Sequence, residues 1–176
     1  VEVRCGAPAP SVAELKAMGY THILYAVGAW KPGQLGIPGD VAGAIQWMKG
    51  VKAGNIAVGG NVAVVGAGNT AMDAARLAKR SGAQHVTIVY RRTKKYMPAD
   101  EHELALALAD GVTFAELCAP VEQKDGVLRC EKMKLGEADA SGRRSPVATG
   151  EYVDIPCDLV ISAVGEQVDS ALLTSN

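Results

Sequence analysis

One short stretch of the chain has glycines at a spacing suited to binding a phosphate group. Gly66 and Gly68 are followed by Ala71, which gives the pattern G-x-G-x-x-A between an apolar run at 62–65 and a helical pattern at 70–81. The first glycine permits a tight turn, the second lets the backbone approach a pyrophosphate, and the alanine keeps helix and strand close. The free amides at the helix N-terminus and its positive dipole end favour the phosphates. The pattern predicts a dinucleotide site formed by Gly66, Gly68, Asn69, Thr70 and Ala71.

Two arginines stand where the choice between NAD and NADP is made. The next apolar run, 86–90, is followed by Arg91 and Arg92, without the Asp or Glu that holds the ribose hydroxyls at an NAD or FAD site. Guanidinium groups bind phosphate through parallel charge-assisted hydrogen bonds, and Lys94 and Lys95 add positive field. We therefore expect NADP, with Arg91 and Arg92 at its 2′-phosphate. A solvated basic loop is the alternative.

The elements around these residues alternate between strand and helix. Strand 62–65, helix 70–81 and strand 86–90 fit within about 30 residues, the length of a βαβ unit with parallel strands. An Asp-Gly turn at 125–126 between two strand-like runs indicates a hairpin. The pattern favours an α/β fold: a Rossmann-like doubly wound parallel sheet with a small antiparallel β-meander. The other predicted elements are helices 41–49 and 100–110, strands 112–116 and 158–163, and a meander of 121–124, 127–135 and 151–155 with a polar turn at 136–150.

The first forty residues carry signals of their own. Ser11 and Glu14 have the spacing of a capping box, which predicts a short helix that stops at Gly19. The apolar run at 22–27 predicts a buried strand. Prolines and glycines in 31–40 predict an irregular connection between domains.

Composition and the scattered cysteines exclude several classes of protein. Of 176 residues, 48% are hydrophobic and 21% charged, and the net charge of −1 argues against nucleic acid or an anionic membrane as a partner. No run approaches the roughly 20 apolar residues of a membrane helix, and we expect no signal peptide. No two cysteines have the Cys-x-x-Cys spacing and the histidines are scattered, so we expect no metal and a cytoplasmic protein with reduced thiols. The cysteines are Cys5, Cys118, Cys130 and Cys157.

Longer runs around the glycines resemble one protein family. The runs are Val-Ala-Val-Val-Gly-Ala-Gly-Asn-Thr-Ala-Met-Asp-Ala-Ala-Arg at 62–76, Val-Thr-Ile-Val-Tyr-Arg-Arg-Thr at 86–93 and Met-Pro-Ala at 97–99. They resemble the NADPH-binding domain of the glutamate synthase small-subunit family. That family also includes the flavin and NADPH half of dihydropyrimidine dehydrogenase and iron–sulfur oxidoreductases named as selenate reductases. Residues 23–29 with 35–39, and residues 158–165, are similar to the stretches that lead out of and back to the family's flavin domain.

The resemblance implies that an NADPH domain is inserted in a flavin domain. Residues 1–40 would then end a flavin-domain segment, residues 41–165 would form the NADP(H)-binding domain, and residues 166–176 would begin the return. Gly165 would let backbone approach a cofactor, with a simple turn as the alternative. FAD is expected in the full-length parent though not in this fragment. The expected function is delivery of hydride from NADPH to that flavin, with the remaining flavin-domain segments and iron–sulfur modules as partners. We name no catalytic residue because the cofactors supply the chemistry, and we expect the fragment alone to be inactive.

Two other interpretations remain from the residues themselves. A nucleotide-binding module can sense or scaffold without electron transfer, and flavin-binding halves in the full-length chain would distinguish the two. The fingerprint can also hold FAD, against which Arg91 and Arg92 in place of an acid argue. The chain departs from the family in having Ala-Val-Gly at 26–28 rather than Ala-Thr-Gly, and in lacking an early Pro after Gly165.

Overall fold

The computed structural model describes residues 1–29, 31–140 and 142–168 of the chain. The chain divides into two units, one formed by residues 1–31 with the chain from Gln167 on, the other by Pro32–Glu166. All the residues predicted to bind a nucleotide lie in the second unit. Two-residue strands β1 (Lys31–Pro32) and β10 (Glu166–Gln167) pair with each other.

The first unit contains the short helix α1, Val12–Ala17. Ser11 Oγ accepts a hydrogen bond from the Glu14 amide at 3.3 Å, and the Ser11 amide donates to the Glu14 carboxylate at 2.8 Å, so the predicted capping box is confirmed. The strand predicted at 22–27 is wrong: no described residue there belongs to a strand, and Leu24 is 90% exposed. An apolar run becomes a strand only beside another backbone that takes its hydrogen bonds, and no described strand pairs with this run.

A five-stranded parallel sheet forms the centre of the second unit. Across the sheet, the strands are β2 (Val41–Gly43), β9 (Leu159–Ser162), β3 (Asn61–Val65), β4 (His85–Val89) and β5 (Thr113–Ala115). One face is covered by helices α2 (Ala44–Lys52), α3 (Asn69–Arg80) and α4 (Glu101–Ala109). The helix predicted at 41–49 begins later than expected, because its first three residues pair with β9 as a strand. A single 3₁₀ turn, Lys94–Tyr96, follows β4.

An antiparallel sheet covers the other face of the parallel sheet. Its strands are β6 (Cys118–Lys124), β7 (Val127–Ala138) and β8 (Arg144–Pro156), in that order. The predicted fold class is therefore confirmed. The polar turn predicted at 136–150 is wrong in its extent, since β7 and β8 continue into it and only residues 139–143 connect them. This end of the hairpin is largely exposed on both faces, so it lacks the alternation of apolar and polar side chains that signals a strand.

β3 is buried on both faces, as a central parallel strand should be. Val62 and Val64 pack with the helices, whereas Ala63 and Val65 pack with the meander. The small side chains of α3 let the helix lie close to the sheet, which places its N-terminus directly at the end of β3. These side chains are fully buried in the core: Ala71, Ala74, Ala75 and Ala78.

Three buried cysteines, Cys118, Cys130 and Cys157, pack between the parallel sheet and the meander. Burial raises the pKa of Cys130 to about 12 and that of Cys157 to about 11, and it also raises the pKa of Cys118. These thiols are neutral and act as small apolar side chains. Among the described residues, no group of three or more His, Cys, Asp or Glu is arranged to hold a metal ion. The described helices also include none of the length and apolar character needed to cross a membrane.

Candidate nucleotide-binding site

A cavity of about 560 Å³ opens at the carboxyl ends of three parallel strands. Val65 ends β3, Val89 ends β4 and Ala163 follows β9, and all three residues line the cavity. In open α/β sheets, ligands bind in the crevice outside the carboxyl ends of the strands. The glycine turn after β3 and the basic segment after β4 meet at this edge.

Gly66 holds the turn after β3 against β9. Its φ is +133°, a conformation that other residues rarely adopt, and a Cβ built there would overlap the carbonyl oxygen of Ala163. The Gly66 amide donates to the Val89 carbonyl at 3.1 Å, and the Ala163 amide donates to the Val65 carbonyl at 2.8 Å. Glycine is therefore needed at position 66, where the ends of β3, β4 and β9 come together. Gly66 shapes the cavity, and its own amide already donates to the Val89 carbonyl.

Gly68 leaves open space at the start of α3. Its φ of −90° and ψ of 176° are accessible to any residue, so the backbone itself does not require glycine. A Cβ built there would have Pro98 Cγ, at 3.9 Å, as its nearest neighbour. The missing side chain exposes the backbone to the cavity, as close approach of a pyrophosphate requires.

The first turn of α3 offers hydrogen-bond donors to the cavity. No side chain caps the helix at Gly68, and no acidic residue occupies the first turn. The first amides of a helix have no partner within it, and the helix dipole favours an anion there. Thr70, in the same turn, lines the cavity. Backbone amides and a hydroxyl can together bind a phosphate group here.

Arg91 and Arg92 occupy different environments after β4. Arg91 is exposed and lines the cavity. Arg92 is half-buried, does not line the cavity, and has a buried Nε without a hydrogen-bond partner. Within the described ranges, neither arginine forms an ion pair with a carboxylate, and neither do Lys94 and Lys95. Arg91 is thus a cation at the cavity without an ion-pair partner among the described residues, and Glu166 lines the same cavity.

The remaining predicted residues have separate places. Gly165 lines the cavity with a φ of +115°, and no atom lies within 4 Å of a Cβ built on it. Asn69 lies outside the lining, where its Oδ1 accepts a hydrogen bond from the Asp100 amide at 3.1 Å. Ala71 is fully buried where α3 meets the sheet. The predicted residues that surround the cavity are Gly66, Gly68, Thr70, Arg91 and Gly165.

Several parts of the cavity lining were not predicted, including Cys118, Ala119 and Pro120 at the start of β6. Gln34 and Leu35 line one side, where the Gly33 amide donates to the Gly165 carbonyl at 2.7 Å. A Cβ on Gly33 would lie 2.5 Å from that oxygen, so glycine is needed for this approach. Pro98 forms another wall near the glycine turn. The sequence offered two signals for these walls, the glycine at 33 and the Met-Pro-Ala run. Neither signal predicts which segments, far apart in the chain, come into contact.

Comparison with known proteins identifies relatives along most of the chain. Oxidoreductase YgfK of Escherichia coli K12 is 41% identical over 174 residues, which cover 96% of this chain and 17% of that protein. The beta subunit of the NADPH-Fe(3+) oxidoreductase of Geobacter sulfurreducens is 38% identical, over 94% of this chain and 27% of that subunit. The NADPH glutamate synthase small chain of Azospirillum brasilense is 43% identical, over 62% of this chain and 24% of its own length. The chain thus spans about a quarter or less of these relatives, and the resemblance to the glutamate synthase small-chain family is confirmed.

Solved structures and a family-wide sequence profile give the fold and the family. FprA of Mycobacterium tuberculosis in complex with NADPH has a TM-score of 0.67 at 22% identity, over 89% of this chain and 52% of that one. Thioredoxin reductase of T. acidophilum has a TM-score of 0.58 at 16% identity, over 83% of this chain and 45% of that one. At these identities the likeness shows the fold alone. The profile described as pyridine nucleotide-disulphide oxidoreductase matches residues 7–176, so the chain belongs to the pyridine nucleotide-disulphide oxidoreductase family.

Proposed function

We propose that this chain is the NADPH-binding domain of a FAD-dependent, iron–sulfur-linked oxidoreductase. It delivers hydride from NADPH to a flavin bound by parts of the parent protein outside these 176 residues. The observation that carries the proposal is that the open backbone of Gly68 and the unpaired Arg91 face one cavity. The name of the Geobacter subunit, an NADPH oxidoreductase, supports this choice of nucleotide.

The pyrophosphate of NADPH lies over Gly68. It accepts hydrogen bonds from the first amides of α3 and from the Thr70 hydroxyl, where the helix dipole also favours its charge. Ala71 keeps α3 close enough to the sheet for this to occur. Asn69 contributes indirectly, since its hydrogen bond to the Asp100 amide ties the turn to the segment that carries Pro98. The glycine turn therefore binds the part that NADPH and NADH share.

The 2′-phosphate is bound by Arg91, with Arg92 supporting the segment and adding charge. A hydrogen bond to a charged group contributes about 1.5 to 3 kcal/mol, which corresponds to a preference of about 10- to 150-fold. Because Arg91 is exposed, solvent screens its charge, and we expect the lower end of that range. Arg91 thus selects NADPH over NADH.

The nicotinamide lies toward the end of β9, beside Ala163, Gly165 and the wall formed by Gln34 and Leu35. Backbone without side chains at Gly165 leaves room for the ring. The nicotinamide, when bound, supplies the hydride, and the protein's task is orientation rather than acid–base chemistry. No residue is therefore assigned a catalytic role.

The flavin belongs to the parent protein rather than to this chain. We assign residues 1–40 to the end of a flavin-domain segment, 41–165 to the NADP(H) domain and 166–176 to the start of the return. The division of the chain after Lys31 and again before Gln167 supports this assignment, as does the greater length of the relatives. The apolar 22–27 run, with Leu24 largely exposed, is suited to packing against those flavin-domain segments. Three further parts of the proposal remain predictions. They are iron–sulfur modules as partners, a cytoplasmic location and a relationship to selenate reductases.

The test begins with calorimetric titration of the protein with NADPH and NADH, together with an absorbance scan for bound flavin. We expect tighter binding of NADPH and no flavin spectrum. Arg91→Ala should weaken NADPH about tenfold and leave NADH unchanged. Arg92→Ala, the neighbouring cation outside the cavity, is the matched control and should have a smaller effect.

The possible outcomes separate the parts of the proposal. Equal affinities for NADPH and NADH in the wild type, or equal losses of both in Arg91→Ala, would refute the 2′-phosphate assignment. Anaerobic stopped-flow measurement in the full-length parent then tests hydride transfer by the bleaching of flavin absorbance after NADPH is added. Tight binding of NADPH without bleaching would identify a nucleotide-binding module that transfers no electrons.

A further inference from the structure

A strained turn outside the glycine fingerprint holds the arginine segment in place. We call residues 91–95 the basic loop and residues 116–118 the clamp turn. The Leu117 amide donates to the Arg92 carbonyl at 3.1 Å, and the Cys118 amide donates to the Tyr90 carbonyl at 3.0 Å. The Glu116 carboxylate accepts a hydrogen bond from the Lys94 amide. Three consecutive residues of the clamp turn thus bind three positions in and beside the basic loop.

Leu117 gives the clamp turn its shape. Its φ of +54° lies in the left-handed region, which residues other than glycine rarely adopt. Its carbonyl accepts a hydrogen bond from the Met133 amide at 2.7 Å, so β7 holds the turn in this conformation. Strained backbone that the surrounding structure maintains is concentrated at functional sites. Here it directs successive amides, together with the Glu116 side chain, toward the basic loop.

The Glu116 carboxylate binds backbone rather than a cation. Among the described ion pairs there is none between Glu116 and a residue of the basic loop, so the carboxylate orders the loop without pairing its arginines. Lys94 is held at both ends, since its ammonium lies 5.5 Å from the centroid of the Phe114 ring. Tyr90 and Tyr96 flank the basic loop, and the Tyr90 hydroxyl donates a hydrogen bond to the Tyr96 carbonyl at 2.8 Å. This arrangement leaves Arg91 unpaired at the cavity.

We propose that Glu116 is a positioning residue for nucleotide selectivity, holding the basic loop in the shape in which Arg91 meets a 2′-phosphate. The inference rests on the proposed NADPH site and identifies a determinant of its preference. Glu116 acts through the Lys94 amide, so its hydrogen-bonding reach matters more than its charge. An ordered loop has already lost the conformational entropy that phosphate binding would otherwise cost.

Two conservative variants distinguish the effect of the Glu116 side-chain length from the effect of its negative charge. Glu116→Gln keeps the side-chain length and an acceptor oxygen but removes the charge, whereas Glu116→Asp keeps the charge and shortens the side chain by one methylene. The probes are 2′,5′-ADP, which carries the 2′-phosphate, and 5′-AMP, which lacks it; neither enters the nicotinamide end of the cavity. Glu137→Gln and Glu137→Asp, at an exposed position of β7, are the matched controls.

We expect Glu116→Asp to bind 2′,5′-ADP about tenfold more weakly while 5′-AMP is unchanged. Glu116→Gln should retain the wild-type ratio of the two affinities, and both Glu137 variants should be indistinguishable from wild type. Hydrogen exchange of the Lys94 amide without nucleotide should be faster in Glu116→Asp and unchanged in Glu116→Gln. That readout reports the proposed contact independently of binding.

Several results would overturn the inference. If Glu116→Asp bound both probes more weakly by the same factor, Glu116 would support the overall fold or the binding of the adenosine that both probes share, and not selectivity. A lost preference in Glu116→Gln with a retained one in Glu116→Asp would show that charge acts rather than reach. An unchanged ratio in both variants would remove Glu116 from selectivity altogether. If the wild type fails to prefer 2′,5′-ADP over 5′-AMP, the NADPH assignment itself fails, which is a separate result from failure at Glu116.

Discussion

Gly68→Ala should separate nucleotide binding from folding at the glycine turn. The added methyl group would meet only Pro98 Cγ, at 3.9 Å, and the backbone angles at Gly68 suit alanine. The fold therefore accepts the substitution. The methyl group nevertheless occupies the open space through which a pyrophosphate would approach the first amides of α3. We expect weaker NADPH binding with only a small loss of stability, because Gly68 is the N-cap of α3 and alanine is less favourable there.

The expected magnitude follows from the hydrogen bonds that the methyl group would prevent. One hydrogen bond from an amide to a charged phosphate contributes about 1.5 to 3 kcal/mol, so the Kd for NADPH should rise by about 10- to 150-fold. NADH should weaken by the same factor, because it carries the same pyrophosphate. Calorimetry measures both affinities. The Tm, followed by circular dichroism, should fall by less than about 4 °C, since alanine in place of glycine at this N-cap position costs about 1 kcal/mol or less.

Gly66→Ala, two residues earlier, is the matched control. Its Cβ would overlap the Ala163 carbonyl, and its φ of +133° is unfavourable for alanine. We expect a loss of about 3 kcal/mol in the free energy of unfolding, which lowers the Tm by about 6 to 12 °C. If Gly68→Ala binds NADPH as the wild type does, the pyrophosphate does not lie over Gly68. If it is destabilised as much as Gly66→Ala, the space over Gly68 is not open.

Three further predictions concern stability in acid, thiol labelling and stability in alkali. Hydrogen bonds from Arg80 and then Arg76 hold the pKa of Asp110 below its ordinary value of 3.8. The stability that the Asp110 carboxylate provides is therefore present above pH 3.8 and lost as the pH falls through the lowered pKa. In urea unfolding, wild type should be more stable than Asp110→Asn at pH 7, and the two should be equally stable in strong acid. A difference in stability that persists in strong acid would contradict the assignment. Burial raises the pKa of Cys130 to about 12 and that of Cys157 to about 11, so a maleimide at pH 8 should label exposed Cys5 rapidly and these two cysteines only after unfolding, as mass spectrometry would show. Because these thiols ionise near 9.0 in the unfolded chain, the free energy of unfolding should also fall as pH rises above that value. A fast label on Cys130 or Cys157, or a flat stability above pH 9, would contradict the burial argument.

The glycine turn could be predicted because its determinants are local. β3 and α3 lie within one residue of the expected bounds, since a four-residue apolar run and a stripe of alanines specify both elements without reference to distant segments. Burial of Ala63 and Val64 on opposite faces explains why the run shows no alternation. The requirement for glycine at 66 also follows locally from the tight turn, although its contact with Ala163 does not.

The elements that were predicted wrongly depend on partners distant in the chain. The 22–27 run has the apolar character of a strand, but a strand also needs a neighbouring backbone, and composition does not report one. β8 presents the opposite error, because Arg144 to Ala148 are largely exposed and show no apolar alternation, yet they pair with β7 through their backbone. Side-chain patterns detect burial, whereas strand pairing depends on backbone hydrogen bonds, which every residue except proline can both donate and accept.

The two arginines show how far sequence alone can go in assigning selectivity. Arg91 and Arg92 are equivalent as residue types, but of the two only Arg91 lines the cavity. The clamp turn binds the carbonyls of Tyr90 and Arg92, and it follows β5 rather than β4. On the inference proposed above, changes near Glu116 alter the nucleotide preference while every residue of the glycine fingerprint stays the same. Selectivity would then be a long-range property of this chain, whereas recognition of the pyrophosphate would be a local one.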